Sequence, residues 1–405
     1  MKLKKIVIYS VFATLSAQLV MASDLPSDST NTASTDPSKP LFGNWSPSDI
    51  KFDFHGFMST GMSTTSTASD YNMVGYGNIN NSADFYTPTL LGIQLKAEIT
   101  PKISIVTQVV ADGDRSTGQS AYQPNVNWLY ASYKFNDNLS VRAGRFQLPS
   151  FLYSEGIRIG YNFPYTYLPN EVYRILPVYS INGVNLLYTH TIADSGWAFS
   201  VEPLFGNTDW DYHVVAQGGG STAPLNTTPT SINASFSGKN FLGADVQLYN
   251  NAFKFNASYL RGDVSTEFMP NTSLSFSGQY VSLGANYDQN NIWLSAEYAE
   301  RFVDAPIAAL RGYYLSGGYH IQKFLPYISF AQIKTTNASD LNKPQDEVIQ
   351  DQHSFTLGLN YYVNTHMVIK SAYSYIVPEN NSYGLFATKP SGNVSMFTLS
   401  TSLVF

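Results

Sequence analysis

Strict alternation of apolar and polar residues over segments of about ten residues is the feature that most constrains this chain. In the segment 91–99, leucine, isoleucine and alanine occupy the odd positions, and glycine, glutamine, lysine and glutamate occupy the even positions. The segments 253–259 and 355–361 repeat the pattern. A tilted strand crosses a membrane in about 9–11 residues. The pattern therefore predicts strands of membrane-spanning length with one apolar and one polar face.

Sixteen segments of this kind follow residue 50. They are predicted to begin near Lys51, Thr89, Ile103, Val126, Leu139, Gly183, Trp197, Phe241, Phe253, Gly278, Ile292, Arg311, Leu325, His353, Met367 and Val394. Short turns alternate with long connections, which are 64–88, 147–182, 207–240, 336–352 and 377–393. This alternation predicts an all-β fold, a transmembrane antiparallel up-and-down β-barrel with tight periplasmic turns and long extracellular loops. A large exported β-sandwich or adhesin is the alternative, and it would bury the apolar face.

Composition excludes several other classes of protein. Only 13% of the 405 residues are charged, 15% are aromatic, and the mean hydropathy is -0.14. After position 22 there is no apolar run of about 18 residues, so helical channels and transporters are excluded. The absence of cysteine excludes disulfides and thiolate metal sites. A net charge of -6, with 23 thinly spread basic residues, argues against nucleic-acid binding.

Residues 1–22 have the pattern of a signal peptide. Three lysines lie within the first five residues, the segment 6–20 is mostly apolar, and Ala22 offers a small residue for cleavage. An exported protein is therefore predicted. Residues 23–50 are rich in Ser, Thr, Asp, Asn and Pro, a composition that predicts a flexible periplasmic segment. Residues 51–405 are predicted to form the barrel.

The final strand resembles that of Gram-negative outer-membrane proteins. Large apolar residues occupy alternate positions at Phe397, Leu399, Leu403 and Phe405. The resemblance implies recognition of this strand by the barrel-assembly machinery, and contact of the barrel with outer-membrane lipid and lipopolysaccharide. With sixteen strands and a long third connection, the chain is similar to the general or substrate-selective porins. That similarity implies a homotrimer in the cell outer membrane. No cofactor is predicted, and the charge balance argues against a nucleic-acid partner.

A barrel of about sixteen strands is wide enough to enclose water. Passive diffusion of ions and small hydrophilic solutes is therefore the predicted function. The resemblance implies that the third long connection, 147–182, is an inward-folded constriction loop. Its many tyrosines and prolines predict a stiff segment. The candidate constriction residues are Tyr153, Glu155, Arg158, Glu171 and Arg174.

Charged residues at polar positions of the strands are candidates for the channel wall, because a charge on the lipid face costs about 2–4 kcal/mol at mid-membrane. They are Lys96, Glu98, Lys134, Arg142, Asp245, Lys254, Glu297, Arg301 and Lys370. Six are basic and three are acidic, so the count predicts a weak preference for anions. The alternative is that neighbouring charges pair across strands or only solvate the wall.

The sequence gives little support for an enzymatic function. The six histidines are scattered, and neither an HExxH nor a GxSxG motif is present. No catalytic or metal-binding residue is therefore predicted. A channel selective for an anion such as phosphate or sulfate, or for a sugar, remains open, since Trp128, Tyr130, Trp293 and Tyr314 fall on polar positions. A channel for hydrophobic substrates would need a compact apolar hatch, which the segment 23–48 does not provide.

Deletion of Phe405 is expected to reduce the amount of folded protein in the outer membrane, because the last side chain is both a lipid anchor and an assembly signal. The measurement is electrophoresis of outer-membrane fractions with and without heating, in which only a folded barrel changes mobility. Lys389→Ala, in the last long connection, is the control. Normal folded yields after the deletion would show that this strand end is not an assembly signal.

Overall fold

The computed structural model describes residues 50–405, apart from the segments 74–75, 115–119, 217–229, 270–271, 305–306 and 338–348. The predicted signal peptide lies outside the described residues. So does the predicted periplasmic segment 23–50, except for its last residue.

Sixteen antiparallel strands form a closed barrel, in which each strand pairs with its neighbours in chain order and the last pairs with the first. The strands are β1 (Lys51–Thr65), β2 (Leu90–Thr100), β3 (Ile103–Asp112), β4 (Asn125–Lys134), β5 (Leu139–Gln147), β6 (Ser180–Thr191), β7 (Ala198–Ala216), β8 (Thr230–Tyr249), β9 (Phe253–Met269), β10 (Thr272–Gln289), β11 (Ile292–Val303), β12 (Leu310–Tyr319), β13 (Phe324–Thr335), β14 (Gln352–Asn364), β15 (Met367–Pro378) and β16 (Val394–Val404). The predicted up-and-down barrel is therefore confirmed.

The connections at one end of the barrel carry the remaining regular structure. A hairpin of two short strands, Tyr71–Met73 and Gly77–Ile79, lies between β1 and β2. Two 3-10 turns, Ser154–Gly156 and Gly160–Asn162, and the short helix α1 (Asn170–Tyr173) lie between β5 and β6. Among the residues that the structure describes, no helix has the length and apolar character needed to cross a membrane.

The two faces of the strands are segregated as the alternation predicts. Large apolar side chains such as Leu283, Ile328 and Leu357 point outward and are more than half exposed. Inward positions of the same wall carry buried side chains such as Ser282 and Ser329. A water-soluble sandwich would bury its apolar face instead. The exposed apolar belt therefore excludes the sandwich alternative.

Two predicted strand starts were wrong by more than three residues. The eighth strand begins at Thr230 and not near Phe241, and the tenth begins at Thr272 and not near Gly278. The reason is that the serine- and threonine-rich stretches before these positions continue the backbone pairing of β7 with β8 and of β9 with β10. Much of the connection predicted at 207–240 is therefore strand, with a β-bulge between Gly238 and Phe241.

The seam between β1 and β16 is completed by the final residue. The Gly56 N–H donates to the Phe405 carbonyl at 2.8 Å, and the Phe405 N–H donates to the Gly56 carbonyl at 2.9 Å. The Phe405 ring covers Gly56 so closely that a Cβ added there would lie 2.2 Å from the ring Cζ. A larger residue at position 56 would force the Phe405 ring to move. The contact holds Phe405 against β1 at the end of the seam.

The two ends of the barrel are expected to differ in their access to the cell exterior. Cysteine introduced as Lys389→Cys lies in the exposed connection between β15 and β16, whereas Asp137→Cys lies in the tight turn between β4 and β5. A membrane-impermeant thiol reagent is expected to label the first variant in whole cells, and the second only after permeabilisation. The chain has no native cysteine to confuse the measurement. Labelling of both in intact cells would contradict this topology.

Candidate functional site

The segment 148–179, between β5 and β6, packs against the inward-facing side chains of the barrel wall. Its base is closed by a hydrogen bond from the Leu148 N–H to the Tyr179 carbonyl at 2.8 Å. Most of its apolar side chains are buried in one cluster with side chains of β9 to β16. Farther along the segment, Ile159 packs against Phe57 and Val110, on β1 and β3. The segment therefore contacts strands far apart around the barrel.

Lys370 is the strongest polar attachment of this segment. Its ammonium group donates to three backbone carbonyls of the segment, those of Gly160, Phe163 at 2.5 Å and Tyr165 at 2.8 Å. The side chain is 1% exposed and lies 4.9 Å from the centre of the Phe163 ring. All three ammonium protons are thus used within the protein. The structure makes Lys370, a predicted wall residue, a clamp on the segment.

Glu297 provides a second attachment, with the opposite charge. Its carboxylate accepts hydrogen bonds from the Leu152 N–H at 2.8 Å and from the hydroxyls of Tyr173 at 2.9 Å and Tyr314 at 3.3 Å. Burial and then the nearby Glu297 charge raise the pKa of Tyr173 well above its ordinary value. Tyr173 therefore remains a protonated donor. The three donors stabilise this buried carboxylate, and the nearby Lys254 charge adds to their effect.

Two more predicted wall residues bind the same segment. Arg301 donates to the Ile175 carbonyl at 3.0 Å and to the Ala308 carbonyl at 2.8 Å. Lys254 donates to the Leu152 carbonyl at 3.1 Å. With Lys370 and Glu297, four of the nine predicted wall residues therefore hold the segment against the wall.

Uncharged side chains complete the attachment, and sequence reasoning missed them. They share one feature, which is a polar group at an inward position of a strand. The pairs are Tyr280 and Ser282 with the Ser150 carbonyl, Asn360 with the Pro164 carbonyl, Ser316 with Tyr165, and Ser63 with Tyr167. Strand parity could have identified them as inward-facing, but not as partners of a segment distant in sequence.

The predicted constriction residues fall into two groups. Four are engaged: Tyr153 with Ser295 and Asn286, Arg158 with Asp112, Glu171 with Gln352, and Arg174 with Gln350 and Asn72. Glu171 is only 3% exposed. Glu155, by contrast, is exposed. Of the two carboxylates predicted to reach the constriction, Glu155 alone is placed at a water-accessible surface of the segment.

Glu155 lies near three charged residues of the wall. We call these four residues the charged cluster: Arg142, Glu155, Glu202 and Asp245. Arg142 forms an ion pair with Glu202 at 3.0 Å, and its guanidinium lies 5.8 Å from the centre of the Tyr130 ring. Glu155 interacts electrostatically with both Arg142 and Glu202. Asp245 lies directly opposite Glu202 in the pairing of β7 with β8. Acidic and basic groups from the segment and the wall thus meet at one place.

Hydrogen bonds fix the two wall carboxylates of the charged cluster. Asn185 donates to Glu202. Asp245 accepts hydrogen bonds from Ser258 at 2.6 Å, from Gln247 at 2.8 Å and from Asn256. Both carboxylates are buried, so these donors replace water.

Sequence reasoning identified Arg142, Asp245 and Glu155 but missed Glu202. The signal was present, because Phe199, Val201 and Phe205 alternate with it along β7 and place Glu202 on the inward face. The direct pairing of Glu202 with Asp245 could not be predicted, since it depends on the register of β7 against β8.

The other predicted wall residues form local ion pairs. Lys96 contacts Glu98 on the same strand at 2.5 Å, and Lys134 contacts Asp137 in the following turn at 3.0 Å. Two of the four aromatic residues that left a sugar channel open, Trp293 and Tyr314, are 1% and 0% exposed, within the cluster that includes the segment. Trp128 hydrogen-bonds Gln147.

Comparison with known proteins identifies similar folds. No protein-family model matches the chain, and no curated protein matches it. Among solved structures, it is similar to the outer membrane channel DcaP of Acinetobacter baumannii, with a TM-score of 0.56 and 11% identity over 90% of this chain and 99% of that one. OmpF of Salmonella typhi gives a TM-score of 0.55 and 16% identity over 88% and 98%. OmpT, an outer membrane protein of Vibrio cholerae, gives 0.52 and 12% over 89% and 100%. Identities this low show the shared barrel fold alone.

Replacement of Lys370 by methionine is expected to loosen the segment 148–179, because three carbonyls lose their donor at a buried site. Each carbonyl left without a partner costs about 1–3 kcal/mol. The variant is expected to unfold at a lower temperature in heat-modifiability gels and to show noisier single-channel currents in planar bilayers.

Lys96→Met is the matched control, since Lys96 is an inward lysine bonded to Glu98 and not to the segment. Equal unfolding temperatures and equal current noise in the two variants would contradict the conclusion that Lys370 holds the segment against the wall.

Proposed function

We propose that the protein is an outer-membrane porin, a water-filled channel for passive diffusion of ions and small hydrophilic solutes. The observation that carries the proposal is the charged cluster, in which an exposed carboxylate of the segment 148–179 faces charged wall residues inside a barrel of sixteen strands. A barrel of this width is too large to be filled by wall side chains alone. The apolar exterior and the similarity of the fold to the channel DcaP and to OmpF support the same conclusion.

In this proposal, the segment 148–179 is the inward-folded constriction loop. Its clamps lie mainly on β9 to β15, and the charged cluster lies on the side of β5 to β8. Solutes would pass between Glu155 and that wall. Export through a cleaved signal peptide, assembly of homotrimers and the absence of an enzymatic activity belong to the same proposal.

The arrangement of charges favours cations over the anions predicted from the residue count. Of the six basic wall residues, three donate to backbone carbonyls around the segment and two form local ion pairs. Arg142 remains at the charged cluster, where it pairs with Glu202 and interacts with Glu155, so the exposed Glu155 carboxylate is left uncompensated. Inside a low-dielectric wall such charges act more strongly than in bulk water. A weak cation preference is therefore proposed.

Substitutions within the charged cluster are expected to shift ion selectivity in opposite directions. Glu155→Gln should shift the reversal potential toward anions and Arg142→Gln toward cations, each changing the permeability ratio by about twofold. Measurement in planar bilayers under a salt gradient at low ionic strength tests both. The shifts should fade at about 1 M salt, where the Debye length is about 3 Å.

Glu98→Gln is the control, because Glu98 is an inward carboxylate outside the charged cluster that pairs with Lys96. The absence of conductance in every folded preparation would overturn the proposal that the protein is a channel. Conductance with unchanged selectivity in both cluster variants would show that the charged cluster is not on the permeation path.

A further inference from the structure

A cavity of about 50 Å³ lies between the segment 148–179 and the inward face of β13 to β16. The segment lines it with residues 165–171. The wall lines it mainly with small side chains, which are Ser329, Ser354, Thr356, Ala372, Ser374 and Thr398. Five of these six carry a hydroxyl group, and no lysine or arginine of the described residues lines the cavity. Its polar surface is therefore made largely of oxygen atoms.

Glu171, on α1, is one of the residues that line the cavity, and it is only 3% exposed. Among the described residues it accepts one side-chain hydrogen bond, from the Gln352 amide at 2.8 Å, and it forms no ion pair. Arg174, which follows α1, donates to Asn72 and Gln350 and does not line the cavity. A carboxylate removed from water needs several donors or an opposite charge. The protein alone therefore compensates the charge of Glu171 poorly.

The other four buried carboxylates of the described residues show what such a group requires. Glu297 and Asp245 each accept hydrogen bonds from three donors. Asp351 accepts from two donors. Glu202 accepts from one donor and also forms an ion pair. Glu171, with a single donor, is the exception, so we expect its missing partner in the cavity.

Two hydroxyl groups in the lining are also left without hydrogen-bond partners. They belong to Thr398, which is 2% exposed, and to Thr166 of the segment. The oxygen atom of each is buried, and no described residue forms a hydrogen bond with it. Buried polar groups of this kind are normally satisfied by a bound water molecule or ion. This observation is independent of Glu171 and indicates a polar ligand in the same cavity.

The charge of the lining selects the kind of ligand. Glu171 contributes one negative charge, and the hydroxyl groups are neutral. A monovalent cation balances that charge, whereas a divalent cation would leave a positive charge buried. Sites for Ca²⁺ also combine several carboxylates among about six to eight oxygen ligands. A bound water needs at least about 10–15 Å³, so a cavity of about 50 Å³ has room for an ion with about two water molecules.

We propose that this cavity binds an alkali-metal cation such as K⁺, with the Glu171 carboxylate as its charged ligand. Gln352, the partner of Glu171, and Ser354 are successive inward positions of β14. The Ser354 hydroxyl is therefore the neighbouring ligand on the wall. Water molecules bound to the ion would extend to Thr398 and Thr166. The ion would attach α1 to β14, and the proposal depends on the fold and not on channel activity.

The first test measures the unfolding temperature of the purified, folded protein in a neutral detergent, by heat-modifiability gels. The probe is Rb⁺, added as rubidium chloride and compared with N-methyl-D-glucamine chloride at the same ionic strength, whose organic cation is too large for the cavity. Rubidium is expected to raise the unfolding temperature by about 2 °C or more, because it binds the folded state alone. Glu171→Gln is expected to lose this difference.

Glu155→Gln is the matched control, since it removes a carboxylate of the same segment that is exposed and does not line the cavity. This variant is expected to keep the rubidium effect. Loss of the effect in both variants would assign it to the charged cluster and overturn the proposal.

The second test locates the ion by anomalous X-ray scattering from crystals soaked in rubidium chloride. A peak beside the Glu171 carboxylate supports the proposal. Peaks only at other places, or water in the cavity without an anomalous signal, would overturn it. Equal unfolding temperatures of the wild type in the two salts would also overturn it. If Glu171→Gln does not fold, the anomalous map of the wild-type protein decides.

Discussion

Complete pairing of the backbone is the constraint on which the rest of this structure depends. A chain that crosses lipid cannot leave a strand edge unpaired, so its sheet must close on itself. Here the closure joins β1 to β16, and its last step is the reciprocal hydrogen bonding of Gly56 with Phe405. Closure with sixteen strands produces an interior too wide for wall side chains to fill. The structure therefore needs a further element to define the interior.

The segment 148–179 is that element, and it is held by buried charges as well as by apolar packing. Inward strand positions must be polar for a water-filled lumen, yet those beneath the segment are cut off from water. Lys370 and Arg301 resolve this conflict by donating to backbone carbonyls, and Glu297 resolves it by accepting from the segment. The carbonyls and N–H groups of an irregular segment are in turn satisfied by the wall. The wall and the segment thus provide each other with the hydrogen-bond partners that burial removes.

The fold could be predicted from the sequence almost completely, because the two-residue period of a strand is a local property. The strand count was correct, and the errors at Phe241 and Gly278 arose where serine- and threonine-rich stretches extend strands beyond the apolar belt. The candidate site was less predictable. Parity places Arg142, Asp245 and Lys370 on the inward face, but it does not state which of them a distant segment will cover. That depends on contacts such as the one between Lys370 and the Phe163 carbonyl, 207 residues apart.

The electrostatics of such an interior therefore do not follow from a count of inward charges. A lysine bound to three backbone carbonyls is directed at those dipoles, and its burial keeps a passing ion from approaching it. Arg142 differs because its side chain is only partly buried and interacts with the exposed Glu155. In the proposed channel, the position of this one carboxylate on an irregular segment would decide which wall charges act on a solute. In the proposed channel, the contacts that attach the segment also bind Lys254, Arg301 and Lys370, so attachment and selectivity would be linked.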